Sequence, residues 1–185
     1  MDHHAATVQM GDFVFIKEAT LRHYAAIDPH IAQKNSRPNC LILKDPIRTG
    51  IYWAVPLTSQ SLDKYKDRAV KFPDRYRFYH FLGKETCFNV SEMLPLIRSD
   101  IRNVYVANGK KVRIRADDFN DIFRHVHAIV RNPKRLAQVS WVQAPVLLMD
   151  AQSRYEKEKQ QRPKRTCILR KKTSAKDRHT GMSLP

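Results

Sequence analysis

Glycine, cysteine and acidic residues are scarce in this chain. Five glycines among 185 residues leave no Gly-rich phosphate loop, which argues against nucleotide hydrolysis by that route. Three cysteines with no CxxC pair argue against a disulfide framework or a structural zinc site, and they fit a reducing compartment. No apolar run is long enough to span a bilayer, and no secretory signal opens the sequence. We therefore expect a cytoplasmic protein without a membrane span.

Positive charge is the dominant feature of what is present. There are 34 Lys and Arg against 18 Asp and Glu, which gives a net charge of +16. A surface of this kind attracts polyanions, and nucleic acid is the foremost of them. Binding to a membrane surface would need an apolar anchor or an amphipathic basic helix.

The charge is concentrated towards the end of the sequence. Residues 151–185 hold eleven basic and three acidic side chains, so they carry half of the net charge with few apolar residues. Such a segment cannot bury enough surface to fold alone. We interpret residues 1–150 as one folded domain and 151–185 as the end of a helix with a basic, flexible tail. Its basic clusters predict RNA contact, although a run that only aids solubility is the alternative; the candidates are Arg162, Lys164, Arg165, Arg170, Lys171 and Lys172.

Short apolar runs precede helical periodicity, which predicts an α+β fold with a compact, twisted, mostly antiparallel sheet and packed helices. The predicted strands are 13–16, 40–43, 51–55 (ended by Pro56), 76–81, 87–90 and a hairpin around Asn108-Gly109. The predicted helices are 21–27, 119–130 with Asp117 as N-cap, 136–142 and 146–159, the last two separated by Pro145.

Neither a metal site nor a cysteine nucleophile is predicted. His125 and His127 are two positions apart, so on a helix they point about 200° away from each other and cannot share an ion. Cys40 and Cys87 lie in apolar strands and have the character of packing residues. We expect no metal and no other cofactor.

Two adjacent hydroxyls follow the strand that ends near Pro56. Thr58 and Ser59 are followed by Ser61 and Lys64, and a second cationic stretch, which holds Lys34 and Arg37, precedes the neighbouring strand. Hydroxyls and backbone amides at a strand end, faced by cations, form a site of the size of a phosphate. Taken alone, the same residues also fit an ordinary polar turn.

Three stretches resemble, in order and spacing, the ToxN/AbiQ/CptN/TenpN-type toxins, which are the endoribonucleases of type III toxin–antitoxin systems. They are Tyr-Trp-Ala-Val-Pro-Leu-Thr-Ser at 52–59, Arg-Pro-Asn-Cys-Leu-Ile-Leu at 37–43 and Phe-Asn-Val-Ser-Glu-Met-Leu-Pro-Leu at 88–96. The helical end around 129–132 also fits. The resemblance covers roughly residues 12–150.

The resemblance implies a fold similar to that of the MazF/Kid toxins and metal-independent cleavage of RNA. In that chemistry a 2′-OH attacks phosphorus and leaves a 2′,3′-cyclic phosphate and a 5′-OH. Thr58 and Ser59 would then lie at the scissile phosphate, with a cation stabilising the added negative charge. The family has a lysine two residues after the serine, where this chain has Ser61. Either Lys64 substitutes for it, or Arg37 or Lys34 takes the cationic role.

Several further residues are candidates for RNA contact. Besides Lys34 and Ser61, Tyr52 could stack a base, and His80 is a rival proton donor unless it is a half-buried strand histidine. The implied partners are messenger RNA as substrate and a small, pseudoknot-like antitoxin RNA cut from a repeated precursor. An RNA-mediated oligomer and a role in phage defence by abortive infection are also implied. The alternatives are a non-catalytic RNA-binding module and a MazF/PemK-type ribonuclease with a protein antitoxin.

Overall fold

The computed structural model describes residues 8–33 and 36–161, and it confirms the α+β class with a mostly antiparallel sheet. Its strands are β1 Phe13–Ile16, β2 Asn39–Lys44, β3 Tyr52–Thr58, β4 Tyr76–Phe81, β5 Lys84–Asn89, β6 Leu94–Leu96, β7 Ile101–Val104, β8 Val106–Ala107 and β9 Lys110–Lys111. Its helices are α1 Glu18–Ile27, α2 Leu62–Lys71, α3 Ala116–Val130, α4 Pro133–Val139 and α5 Ala144–Gln161. None of the helices in these two ranges is long and apolar enough to cross a membrane.

Strand β3 is the centre of a seven-stranded sheet. Six of the strands run in the order β4-β5-β3-β2-β1-β7, and β6 pairs with β3 off this path. One edge of β3 pairs with β2. Its other edge pairs first with the short strand β6, through residues 52–54, and then with β5, through Leu57 and Thr58. All these pairs are antiparallel. The end of β3 is therefore held on both sides, and whatever follows Thr58 begins from a fixed point.

The prediction that Pro56 ends this strand is wrong, because β3 continues to Thr58. The Leu57 amide donates to Pro38 O on the β2 side at 3.1 Å. Amides of successive strand residues point to opposite edges, so the missing N–H of Pro56 falls on the other edge. That is where β3 changes its partner from β6 to β5. Proline is tolerated because no ladder hydrogen bond is required of it there.

The helices cover the sheet and hold its far end. α3 packs on β2, α5 packs on β6, and α4 contacts both helices. Asp117 is not the N-cap of α3 as predicted: the cap is Arg115, and Asp117 lies in the first turn, where its charge is favourable with the helix dipole. α4 begins earlier than predicted, at Pro133, because the side chain of Asn132 accepts from the amides of Lys134 and Arg135. Pro145 does not precede α5 but lies in its first turn.

The Asn108-Gly109 hairpin is confirmed, with both residues at positive φ between β8 and β9. Three elements were not predicted: α2, β6 and β7. α2 has no buried residue, so its sequence carries no apolar stripe of the usual kind. β6 is three residues long with a proline at its centre, and β7 has two exposed residues between two buried ones.

Arg154 connects helix α5 to helix α1 and to the 3₁₀ turn Arg98–Asp100. Its guanidinium donates to Asp100 Oδ1 at 2.5 Å, to Tyr24 Oη at 2.6 Å and to Asp150 Oδ2 at 2.8 Å. The cost of partly burying this charge is offset because each of the three guanidinium nitrogens has a hydrogen-bond partner. The helix thus runs past residue 150 in contact with the rest of the structure. The division of the chain there stays a prediction, and the basic tail lies outside the described residues.

Gly50 provides a test of the packing of α5. It has a φ of +81°, and a Cβ added there would lie 2.0 Å from Tyr155 Cε2. Gly83 has nearly the same φ, +77°, with no atom within 4 Å of such a Cβ. We expect Gly83→Ala to lower the free energy of unfolding by about 1 kcal/mol through backbone strain alone. Gly50→Ala should cost about 1–3 kcal/mol more, because it also displaces the tyrosine ring. Denaturant unfolding of both variants measures the difference.

The same comparison in a Tyr155→Ala background is the control. There the cost of Gly50→Ala should fall to that of Gly83→Ala. Equal costs of the two glycine substitutions in the wild-type background would show that α5 does not press on this turn.

Candidate functional site

An open cleft of about 600 Å³ lies where β3 ends. It is formed by the loop before β2, the end of β3, the first turn of α2 and one residue from the 3₁₀ turn Val90–Glu92. Its lining includes Arg37, Thr58, Ser59, Ser61, Lys64, Tyr65 and Glu92. The cleft therefore contains all four residues that the sequence predicts to be catalytic, and its other side chains include Tyr65 and Glu92, to which no role was given.

Arg37 connects three parts of the cleft. Its Nε–H donates to Leu57 O at 2.9 Å, at the end of β3, and its Nη1 donates to Glu92 Oε2 at 2.8 Å. Both side chains of this ion pair are mostly buried. The second terminal nitrogen, Nη2, is buried and has no hydrogen-bond partner among the described residues. A buried guanidinium donor without a partner is energetically costly.

The hydroxyls follow directly on the strand end. Thr58 is the last residue of β3, paired with Cys87, and its Oγ1 accepts from the amide of Gln60 at 3.2 Å. Ser59 is exposed to solvent at the mouth of the cleft. Ser61 has a φ of +53° and precedes α2 directly, so the chain turns sharply between the hydroxyls and the helix. This left-handed conformation is uncommon for a residue other than glycine.

The first turn of α2 brings in Lys64 and Tyr65. Lys64 is exposed and makes no ion pair within residues 8–33 and 36–161, whereas Lys66 on the same helix is bound to Glu85 at 2.6 Å. Tyr65 packs on Tyr76 with ring centroids 5.6 Å apart. Its burial, and then the nearby carboxylate of Glu92, raise the pKa of the phenol, so that it stays protonated at neutral pH. Lys64 is thus the cation of the cleft that no acidic partner neutralises in the described part of the chain.

Cys87 is buried in an apolar strand, as the sequence predicts. It lies in β5 opposite Thr58, and burial raises the pKa of its thiol to about 12. A thiol in that state is almost entirely protonated at neutral pH and a poor nucleophile. Cys40 is buried in β2 as well.

Other predicted contact residues lie away from the cleft. Tyr52 is at the opposite end of β3, six residues from Thr58, which is about 20 Å along a strand. His80 is exposed on β4 and lines a separate depression with Tyr79 and Phe81. Lys34 and the tail residues lie outside the described residues; the latter are Arg162, Lys164, Arg165, Arg170, Lys171 and Lys172.

The sequence did not predict a role for two residues of the cleft, Glu92 and Tyr65. Glu92 belongs to the stretch 88–96 that carries part of the family resemblance, but its pairing with Arg37, 55 positions away, has no local signature. Tyr65 lies on helix α2, which was not predicted.

No group of three His, Cys, Asp or Glu side chains in the described ranges lies close enough to hold a metal ion.

Comparison with known proteins supports the fold. The chain is similar to the solved structure of AbiQ, "a lactococcal anti-phage endoribonuclease belonging to the type-III toxin-antitoxin system". The two superimpose with a TM-score of 0.61 over 79% of this chain and 98% of that one, at 14% sequence identity. This chain shares the fold of AbiQ. No protein-family model matches the sequence, and no curated protein is similar to it at a significant level.

Proposed function

We propose that this protein is the toxin of a type III toxin–antitoxin system and that it cleaves RNA in the cleft at the end of β3. The observation that carries the proposal is the meeting of Thr58, Ser59, Lys64 and Arg37 in one cleft. The shared fold with AbiQ, itself an endoribonuclease of such a system, supports the same assignment. The net charge of +16 suits an RNA substrate and an RNA inhibitor.

The reaction we assign is attack of a 2′-OH on the adjacent phosphorus, with departure of the 5′-oxygen and formation of a 2′,3′-cyclic phosphate. The hydroxyls of Thr58 and Ser59 hold the phosphate in line for this attack. The phosphorane-like transition state carries additional negative charge on its oxygens. The free ammonium of Lys64 and the unpartnered Nη2 of Arg37 are the donors that stabilise it.

Two protons must move in this reaction. Glu92 is the one carboxylate that lines the described cleft, and we assign it as the acceptor of the proton from the 2′-OH. Its hydrogen bond to Arg37 fixes its orientation. The leaving 5′-oxygen takes a proton from a donor on the α2 side, where Lys64 and the neutral phenol of Tyr65 lie. No step requires a metal ion.

The biological role follows from the same proposal. A small structured RNA held on the basic surface would block the cleft until the balance of toxin and antitoxin is disturbed, as by phage infection. Cleavage of messenger RNA would then arrest the infected cell. Repeated binding of such RNAs between toxin molecules would give the RNA-mediated oligomer that the family resemblance implies.

Cleavage of RNA in the presence of EDTA tests the proposal. We expect the wild type to cut and to leave 2′,3′-cyclic phosphate and 5′-OH ends. The Thr58→Ala/Ser59→Ala variant should be slower by about 100-fold or more, because the phosphate loses its positioning contacts. End-specific phosphatase and ligase assays identify the termini.

Ser153→Ala, which removes an exposed hydroxyl on α5, is the matched control and should cut like the wild type. Tight RNA binding without cutting by the wild type would instead indicate a non-catalytic RNA-binding module. A requirement for a divalent metal would contradict the assigned chemistry.

Lys64 and Lys66 lie on the same helix, but only Lys66 is bound to an acidic side chain. Comparing the two variants therefore separates the effect of the free charge from that of a neutralised one. Lys64→Ala should lower kcat/KM by about 100-fold, since the transition state loses its free ammonium. Lys66→Ala should have little effect, because that charge is already bound to Glu85. Measuring kcat/KM for both variants on the same RNA shows whether the free charge of Lys64 contributes to catalysis. Equal losses would show that α2 supplies only general attraction for RNA, and that Arg37 alone carries the cationic role.

A further inference from the structure

A second surface, which we call the basic–aromatic groove, lies at the other end of α2. It is an open groove of about 550 Å³ between the segment 71–75 and helix α4. We define it by Lys71, Phe72, Arg75, Lys134 and Arg135, with Trp141 beside them. None of these residues has a role in the cleft described above.

Two aromatic rings, Phe72 in the groove and Trp141 beside it, lie close to the guanidinium of Arg75. The guanidinium carbon of Arg75 lies 4.5 Å from the ring centroid of Phe72 and 5.8 Å from that of Trp141. Its Nη2 donates to Gln138 O at 2.9 Å, which fixes the guanidinium in place. Phe72 is nevertheless 46% exposed and Trp141 is 60% exposed. Large exposed aromatic faces beside a fixed cation are typical of binding surfaces rather than of a packed core.

The net positive charge of the groove favours binding of an anion. Its described lining holds four basic side chains and one acid, Asp74, which is bound to Arg135 at 3.0 Å. Lys71 and Lys134 are exposed and make no ion pair within the described ranges. Two free ammonium groups that flank planar rings fit a polymer with alternating phosphates and flat bases.

The groove and the cleft are connected along α2. Lys64, Arg68 and Lys71 lie at positions i, i+4 and i+7, so they form one exposed basic ridge about 10 Å long. On the other side, the Trp141 amide donates to Ser91 O at 2.7 Å, and the next residue, Glu92, lines the cleft. A strand of nucleic acid that leaves the cleft along this ridge reaches the groove.

We propose that the basic–aromatic groove binds single-stranded RNA that flanks the phosphate held in the cleft. An unpaired base stacks on Trp141, with Phe72 and Arg75 completing the platform, and Lys71 and Lys134 contact phosphates. Stacking needs an open base face, which a duplex does not offer except at its ends, so the groove prefers single strands. The inference rests on the proposed function in taking RNA to be the polymer and in placing one of its phosphates in the cleft.

Tryptophan fluorescence measures this binding directly. The chain has two tryptophans, and Trp53 is fully buried, with its Nε1–H donating to Asp45 at 2.9 Å. Quenching by a ligand therefore reports Trp141. The probe is a 2′-O-methyl oligouridylate, which cannot undergo 2′-OH attack, so binding is separated from cleavage. We expect saturable quenching by this probe, with competition by single-stranded RNA and little by a blunt RNA duplex.

Substitutions define the contacts, with affinity measured by fluorescence anisotropy of a labelled probe. Trp141→Ala should weaken binding by about tenfold or more, whereas Trp141→Phe, which keeps a stacking ring, should retain most of the affinity. Met149→Ala, which removes an exposed apolar side chain on α5, is the matched control and should bind like the wild type. Lys71→Ala and Lys134→Ala should each reduce the log–log salt slope by about 0.7.

Unchanged affinity of Trp141→Ala, absence of quenching, or equal competition by the duplex would each overturn the inference. Failure of the proposed function gives a different pattern: the probe binds and quenches Trp141, while the wild type cuts no RNA. RNA cleavage by a protein whose Trp141→Ala variant binds normally would refute the groove and leave the cleft assignment intact.

Discussion

The position of the candidate site depends on the guanidinium of Arg37. Its two hydrogen bonds, to Leu57 O and to Glu92, join the loop before β2, the end of β3 and the 3₁₀ turn that follows β5. The pairing of β3 with β2 and β5 brings these segments close together, and Arg37 adds a side-chain link between them. A buried ion pair of this kind contributes little net stability, because desolvation offsets much of its Coulomb energy. Its value here is geometric, since it fixes the walls of the cleft relative to Thr58.

The sheet supplies the other half of that geometry. β3 is paired along both edges, and its missing amide at Pro56 falls where the partner strand changes. The strand can therefore present Thr58 and Ser59 at a fixed end and still turn sharply through Ser61 into α2. α2 then places Lys64 in the cleft and Lys71 in the basic–aromatic groove. One short helix on the surface thus connects both candidate sites.

The elements that were predicted correctly are those whose signal lies within a short stretch of sequence. The strand 13–16, the amphipathic α3 and the Asn-Gly hairpin all have a clear periodicity or turn signal, and all are present. The strand end at Pro56 and the Asp117 cap were wrong, because proline and acidic residues are compatible with more than one place in an element. α2 was missed because it buries no residue and so carries little apolar pattern.

The residues of the candidate sites likewise fall into those that local sequence predicted and those that depend on distant contacts. Thr58, Ser59, Lys64 and Arg37 were found from the strand-end pattern and the family resemblance, and the structure brings them together. Glu92 and Trp141 could not be found, since their roles depend on contacts with Arg37 and Arg75, which are distant in the sequence. Tyr52 was predicted to stack a base and His80 to be a rival proton donor, but strand length and sheet position separate both from the cleft.

The most direct test of the proposed RNA cleft is a crystal structure of the protein with an uncleavable 2′-O-methyl RNA. We expect a phosphate within hydrogen-bonding distance of Thr58 Oγ1 and of the Nη2 of Arg37, with Lys64 beside it. RNA bound elsewhere on the protein, with this cleft unoccupied, would contradict this expectation.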